Sequence, residues 1–87
     1  MLVVQATKCV GRVDSLTICP VITNDESATL FRIRINATDQ TGLDHDSVIS
    51  ADKVTTVKAD KVRAVIGNAS EPIMRSVDEA LKRWLAL

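Results

Sequence analysis

Leu30-Phe31-Arg32-Ile33-Arg34-Ile35 alternates strictly between apolar and basic side chains after its first residue. Side chains along an extended strand point alternately to opposite faces. Phe31, Ile33 and Ile35 therefore share one face, and Arg32 and Arg34 share the other. That period is the signature of a half-buried strand. On the N-terminal side, Asn24-Asp25-Glu26-Ser27 reads as a polar turn, and Leu16-Thr17-Ile18-Cys19-Pro20-Val21-Ile22-Thr23 as another strand. Proline has no N–H for a ladder, so Pro20 implies an edge position or a bulge. Gly11 to Ser15 reads as a loop, and Leu2-Val3-Val4-Gln5 as a β-branched opening strand. On the C-terminal side, Thr38 to Gly42 reads as a loop with a turn glycine. Ser47-Val48-Ile49-Ser50-Ala51 and Thr55-Thr56-Val57 are two short strands joined by Asp52-Lys53-Val54, and Ala64-Val65-Ile66-Gly67 is a further strand candidate.

The end of the chain changes period. Ser70 suits a helix N-cap, Glu71 suits the positive end of the helix dipole, and Pro72 is tolerated in a first turn. Ile73, Val77, Leu81 and Trp84 recur at helical spacing, widened by Ala80 and Leu85. Arg75, Asp78, Glu79, Lys82 and Arg83 mark the opposite side. Trp84 is expected to pack on the sheet. Short strands closed by one amphipathic helix predict a mainly-β or α+β chain built as a small barrel-like sheet. At 87 residues a single domain spanning 1–87 is expected. Such a domain buries a modest core and gains from oligomerisation.

Composition excludes several functions. Eleven basic residues balance eleven acidic ones, so no global positive field advertises nucleic acid, and an RNA surface must be a local patch. Phe31 and Trp84 are the chain's aromatics, too few for a base-stacking platform. Cys9 and Cys19 lie ten residues apart beside one histidine, His45, which is neither a redox nor a zinc spacing. No Gly-rich phosphate loop, metal cluster or hydrolase elbow is visible, so neither metal nor cofactor is expected. His45, flanked by Asp44 and Asp46, reads as a solvated loop histidine. Met1 to Val4 is too short for a signal peptide or a span, so a cytoplasmic protein with no membrane association is expected.

Several strings occur in a telling order: Leu2-Val3-Val4-Gln5, Gly11-Arg12-Val13-Asp14-Ser15-Leu16, Thr17-Ile18-Cys19-Pro20, Leu30-Phe31-Arg32-Ile33, Gly42-Leu43, Asp52-Lys53-Val54-Thr55-Thr56-Val57, and Ala80-Leu81 to Leu85-Ala86-Leu87. Together they resemble the MazF/PemK/Kid family of type II toxin–antitoxin toxins, from its second strand to its last helix. The resemblance implies an SH3-like small barrel (CcdB/MazF-like) with a C-terminal α-helix, mainly β, acting as a homodimer. It implies a ribosome-independent mRNA interferase, an endoribonuclease that cuts single-stranded RNA without metal. The 2′-hydroxyl attacks the adjacent phosphate and leaves a cyclic phosphate and a 5′-hydroxyl. A cognate antitoxin is the implied protein partner.

Carried onto this sequence, the family's phosphate-contacting threonine corresponds to Thr23, and an acid implicated in catalysis or RNA contact corresponds to Asp52. Members with that acid carry an arginine two residues before it, where this chain has Ser50. Arg32, Arg34 and Lys53 are the candidate RNA-binding cations. Arginines on one strand face can grip phosphates, although a solvated face is the commoner arrangement. The family's first strand, Gly-rich loop and catalytic Arg-Pro precede the Leu-Val-Val strand, whereas Met1 stands directly before Leu2. The expectation is therefore a barrel incomplete at its N-terminus, with weak or absent ribonuclease activity. The alternative is a non-catalytic, toxin-like dimer that binds an antitoxin peptide. A topoisomerase poison on the same barrel fits the closing segments less well.

Overall fold

The computed structural model describes residues 1–4, 14–23, 29–62 and 64–87. The strands are β1 (Leu2–Val3), β2 (Ser15–Cys19), β3 (Val21–Thr23), β4 (Arg32–Ile35), β5 (Ser47–Ser50) and β6 (Thr55–Lys58), followed by helix α1 (Glu71–Leu85). They form two three-stranded antiparallel sheets, ordered β1-β2-β6 and β3-β5-β4. Single 3₁₀ turns follow β5 at Ala51–Lys53 and β6 at Ala59–Lys61.

The expected strand from Leu16 to Thr23 is two strands in two different sheets, a correction that Pro20 explains. Proline cannot donate to a ladder and its φ is fixed, so the first sheet ends at Cys19 and the chain passes into the second at Val21. The Pro20 carbonyl accepts the Ser50 N–H at 2.9 Å, which ties the corner to β5. The Asn24–Ser27 turn, the Gly11–Val13 part of the first loop, Gln5 and Cys9 lie outside the described residues. Ser15, read as loop, begins β2.

Strand β5 is central to its sheet and buried at all four positions. Directly opposed residues of an antiparallel pair share a face. Val21, Ile49 and Ile33 therefore form one rung, and Thr23, Ser47 and Ile35 a second on the same face. Ile35, Ile49, Cys19 and Val77 make the buried core, joined by Val21, Ile33, Ile73 and Leu81 among others. The helix thus covers the apolar face that the 30–35 alternation predicts.

Helix α1 spans the expected residues with Pro72 in its first turn. Ser70 flanks it in extended conformation, but its hydroxyl makes no capping bond, and only its carbonyl enters the helix, accepting Met74 N–H at 2.9 Å. Val77 and Ala80 are fully buried. Trp84 departs from the expectation: it remains 48% exposed. Residues 82–87 are all exposed, and the indole meets Phe31 edge-on, with ring centroids 5.2 Å apart at 68°.

Ala64-Val65-Ile66 is exposed and forms no strand, a second correction. The segment instead clasps the loop before β5. Gly42 adopts φ +67°, and a Cβ there would overlap the Ile66 carbonyl; one on Gly67 would overlap the Gln40 and Thr41 carbonyls. The Asn68 N–H donates to the Gln40 carbonyl at 2.8 Å. Two glycines allow backbones to meet where side chains would hold them apart.

Candidate functional site

Thr23 is the last residue of β3, exposed, and opposite Ser47. A hydroxyl at a strand end can donate to a phosphoryl oxygen in solvent reach. Arg32 begins β4 opposite Ser50. Its side chain is only 22% exposed, and its guanidinium lies 3.5 Å from the Asp52 carboxylate, itself 23% exposed. Arg32 is thus half-enclosed and paired, not simply part of a solvated face. Arg34, two residues on, is exposed as expected of that face. Lys53 closes the 3₁₀ turn after Asp52 and is exposed.

The structure therefore brings Arg32 and Asp52 together, with Lys53 adjacent in the chain. Ser50 and Arg32 are Cα partners, so the cation beside Asp52 comes from the neighbouring strand and not from two residues upstream. The pair sits on demanding ground. Ser50 Oγ and Asp52 Oδ1 are buried without a hydrogen-bond partner, and unsatisfied buried polar atoms are costly in ordinary cores.

Thr23 is not brought to this pair. Alternation places Thr23 on the face of Ile35 and Ile49, and Arg32 and Arg34 on the face of Val48 and Ser50. Two strand spacings across and three residues along put the Thr23 and Arg32 backbones on the order of 14 Å apart.

A recess of about 160 Å³ lies at the C-terminal end of β4, lined by Arg34, Asn36, Thr38, Gln40, Thr41, Ser70 and Ile73. A larger one, about 640 Å³, is lined by Asp14, Ser15, Lys58, Ala59 and Asp60 and touches none of the expected site residues. His45 is exposed in its loop. Cys19 is buried, and burial pushes its thiol pKa up, the opposite of what a nucleophile needs. Asn36 and Gln40 carry no mark of a site in the sequence, and Ser70 reads there only as a helix cap, because only the clasp between residues 40–42 and 66–68 gathers them.

Comparison with known proteins fits this architecture. "Mycobacterium tuberculosis toxin MazF-mt6" superposes with a TM-score of 0.86 at 20% identity, over 99% of this chain and 84% of that one. "Endoribonuclease in complex with its cognate antitoxin from Mycobacterial species" gives 0.82 at 16%, over 99% and 79%. At these identities the likeness shows the fold, mainly β with one C-terminal helix. In sequence, "Probable endoribonuclease MazF" of Mycolicibacterium smegmatis (strain ATCC 700084 / mc(2)155) is 40% identical over 73 residues, 84% of this chain and 67% of that protein. The family described as "PemK-like, MazF-like toxin of type II toxin-antitoxin system" matches residues 1–85. With the family's pattern running over residues 1–85 and a relative 40% identical across 84% of the chain, this chain belongs to the PemK-like, MazF-like toxin family of type II toxin–antitoxin systems.

Proposed function

We propose that the chain is the toxin of a type II toxin–antitoxin pair and an endoribonuclease acting on single-stranded mRNA. The observation that carries this is the 40% identity to a probable MazF endoribonuclease across 84% of the chain. In this reading the substrate's 2′-hydroxyl gives its proton to water and attacks the adjacent phosphorus, and the 5′-oxygen leaves, taking a proton from water to become a hydroxyl. Thr23 donates a hydrogen bond to a phosphoryl oxygen as charge grows there. Arg32, held by Asp52, presents a fixed guanidinium to phosphate, and Arg34 and Lys53 add positive charge along the strand. Because Thr23 lies on the order of 14 Å from Arg32, the two serve different phosphates of one RNA.

The working form is a homodimer in the cytoplasm, bound and silenced by a cognate antitoxin. Among the described residues no helix is long and apolar enough to cross a membrane. Exposed Val65, Ile66, Leu85 and Leu87 offer apolar surface for a partner. Light scattering at micromolar concentration should give twice the chain mass.

The test is cleavage of a long single-stranded RNA in EDTA by the chain and its Thr23→Ala variant. Fragments with 5′-hydroxyl ends are expected, and Thr23→Ala should slow their appearance by roughly a hundredfold. RNA left intact by the wild type overturns the catalytic reading. The separation of Thr23 from the Arg32–Asp52 pair favours one alternative, a toxin-like dimer that binds antitoxin without cutting. That reading predicts intact RNA together with a measurable heat of antitoxin binding.

A further inference from the structure

The recess at the end of β4 has a fixed frame and idle functional groups. Thr41, 8% exposed, holds the frame. Its hydroxyl donates to the Asn36 carbonyl at 2.9 Å and accepts the Thr38 N–H at 3.0 Å, while its own N–H donates to Thr38 Oγ1 at 3.1 Å. The Gly42–Ile66 and Gly67–Thr41 backbone contacts and the Asn68–Gln40 bond lock the loop from outside. The loop's shape is thus set by backbone groups and two threonines. Among the described residues, the side chains of Arg34, Asn36, Gln40 and Ser70, which line the recess, take part in no hydrogen bond or ion pair.

These groups match the parts of a nucleotide. A guanidinium suits a phosphate, and the amides of Asn36 and Gln40 can each donate and accept on one base edge. Sequence-specific RNA recognition works largely on unpaired bases read along such edges. Position agrees as well. Asn36 follows Ile35, which shares its rung with Ser47 and Thr23, so the recess and Thr23 lie at the same end of the sheet, on either side of β5. Two strand spacings separate the Thr23 and Ile35 backbones, roughly 10 Å; Arg34 lies on the opposite face from Thr23, so an RNA strand reaching both passes round the β4 edge of the sheet.

We propose that this recess holds one unpaired nucleotide beside the cleavage point, with Arg34 on its phosphate and Asn36 and Gln40 reading its base. The proposal rests on the endoribonuclease reading and assigns that activity a specificity site. Side-chain amides pair with adenine-like donor–acceptor edges, whereas a carboxylate accepts from an amino group such as that of cytosine.

The experiment maps cut sites on a pool of single-stranded RNAs of random sequence, by sequencing the new ends. It compares the wild type with Asn36→Ala, Gln40→Ala and Gln40→Glu, each checked for an unchanged melting temperature. At one position near the cut, the alanine variants should lose base preference by about tenfold or more, and Gln40→Glu should favour a different base. Asn36 and Gln40 are exposed, so the variants should fold; should an alanine variant not, the near-isosteric Gln40→Glu carries the test. Wild-type cutting with preferences unchanged in all variants, even at a lower rate, overturns the recess as a reading site and leaves the endoribonuclease reading intact. A wild type that cuts no RNA overturns that reading, and this proposal with it.

Discussion

Removing the Trp84 ring tests how the last turn of α1 is held. A fully buried tryptophan cut to alanine costs about 3–5 kcal/mol. Trp84 keeps 48% of its surface exposed, and its ring contact is the edge-on one with Phe31 at 5.2 Å. Scaling by the buried half gives about 1.5–2.5 kcal/mol, a figure that already contains the aromatic pair. A domain of this size loses about 4–8 °C per kcal/mol. Trp84→Ala should therefore lower the melting temperature by about 10 °C, followed by circular dichroism at fixed protein concentration. Trp84→Phe, which keeps a ring beside Phe31, should lose less than half as much. A melting temperature within about 2 °C of wild type would mean that the ring contact holds nothing and the last turn is frayed. Loss of any cooperative transition would refute the reasoning from the other side, because it would show a ring buried against a surface that the single chain lacks.

Gly42→Ala places a methyl group against the Ile66 carbonyl at φ +67°. It should cost more than the roughly 1–2 kcal/mol of left-handed backbone alone, and an unchanged urea midpoint would contradict the clasp. Asp52→Ala strips Arg32 of its counter-ion at 3.5 Å; between exposed and buried pairs, a loss of about 1–2 kcal/mol is expected. A double-mutant cycle with Arg32→Ala should show positive coupling, and strict additivity would deny the pair. Cys19, its thiol pKa raised by burial, should resist iodoacetamide at pH 8 until denaturant is added. Because the unfolded thiol ionises first, its contribution to stability is complete below the ordinary thiol range and is lost as pH rises from there through the raised folded value. Rapid alkylation of the native chain would contradict the burial.

The sequence by itself determined the features that local period dictates. Phe31 to Ile35 could bury only one face, because alternating side chains point opposite ways, and Ile33 and Ile35 do meet the core. Ile73, Val77, Ala80 and Leu81, spaced by both three and four, could share one side only on a helix, and the helix lies where the serine, glutamate and proline at residues 70–72 place it. The ordered strings also pointed to the toxin family, since a family's pattern survives along the chain even where each string is weak alone. Tertiary structure decided whatever depends on partners far away in sequence. Pro20 signalled a break, yet whether the strand bulges or crosses depends on which edge accepts Val21, and β5 accepts it. Ala64 to Ile66 has strand-like residues, but the backbone at 66–68 meets the loop at Gln40 to Gly42, and the segment pairs with neither sheet. Arg32 carries no mark of pairing in its own strand; Asp52 reaches it only because β4 and β5 stand side by side. The recess is the furthest from the sequence. Its polar groups come from residues 34 to 70, and only the close approach of Gly42 and Gly67 to their opposing backbones draws them into one place.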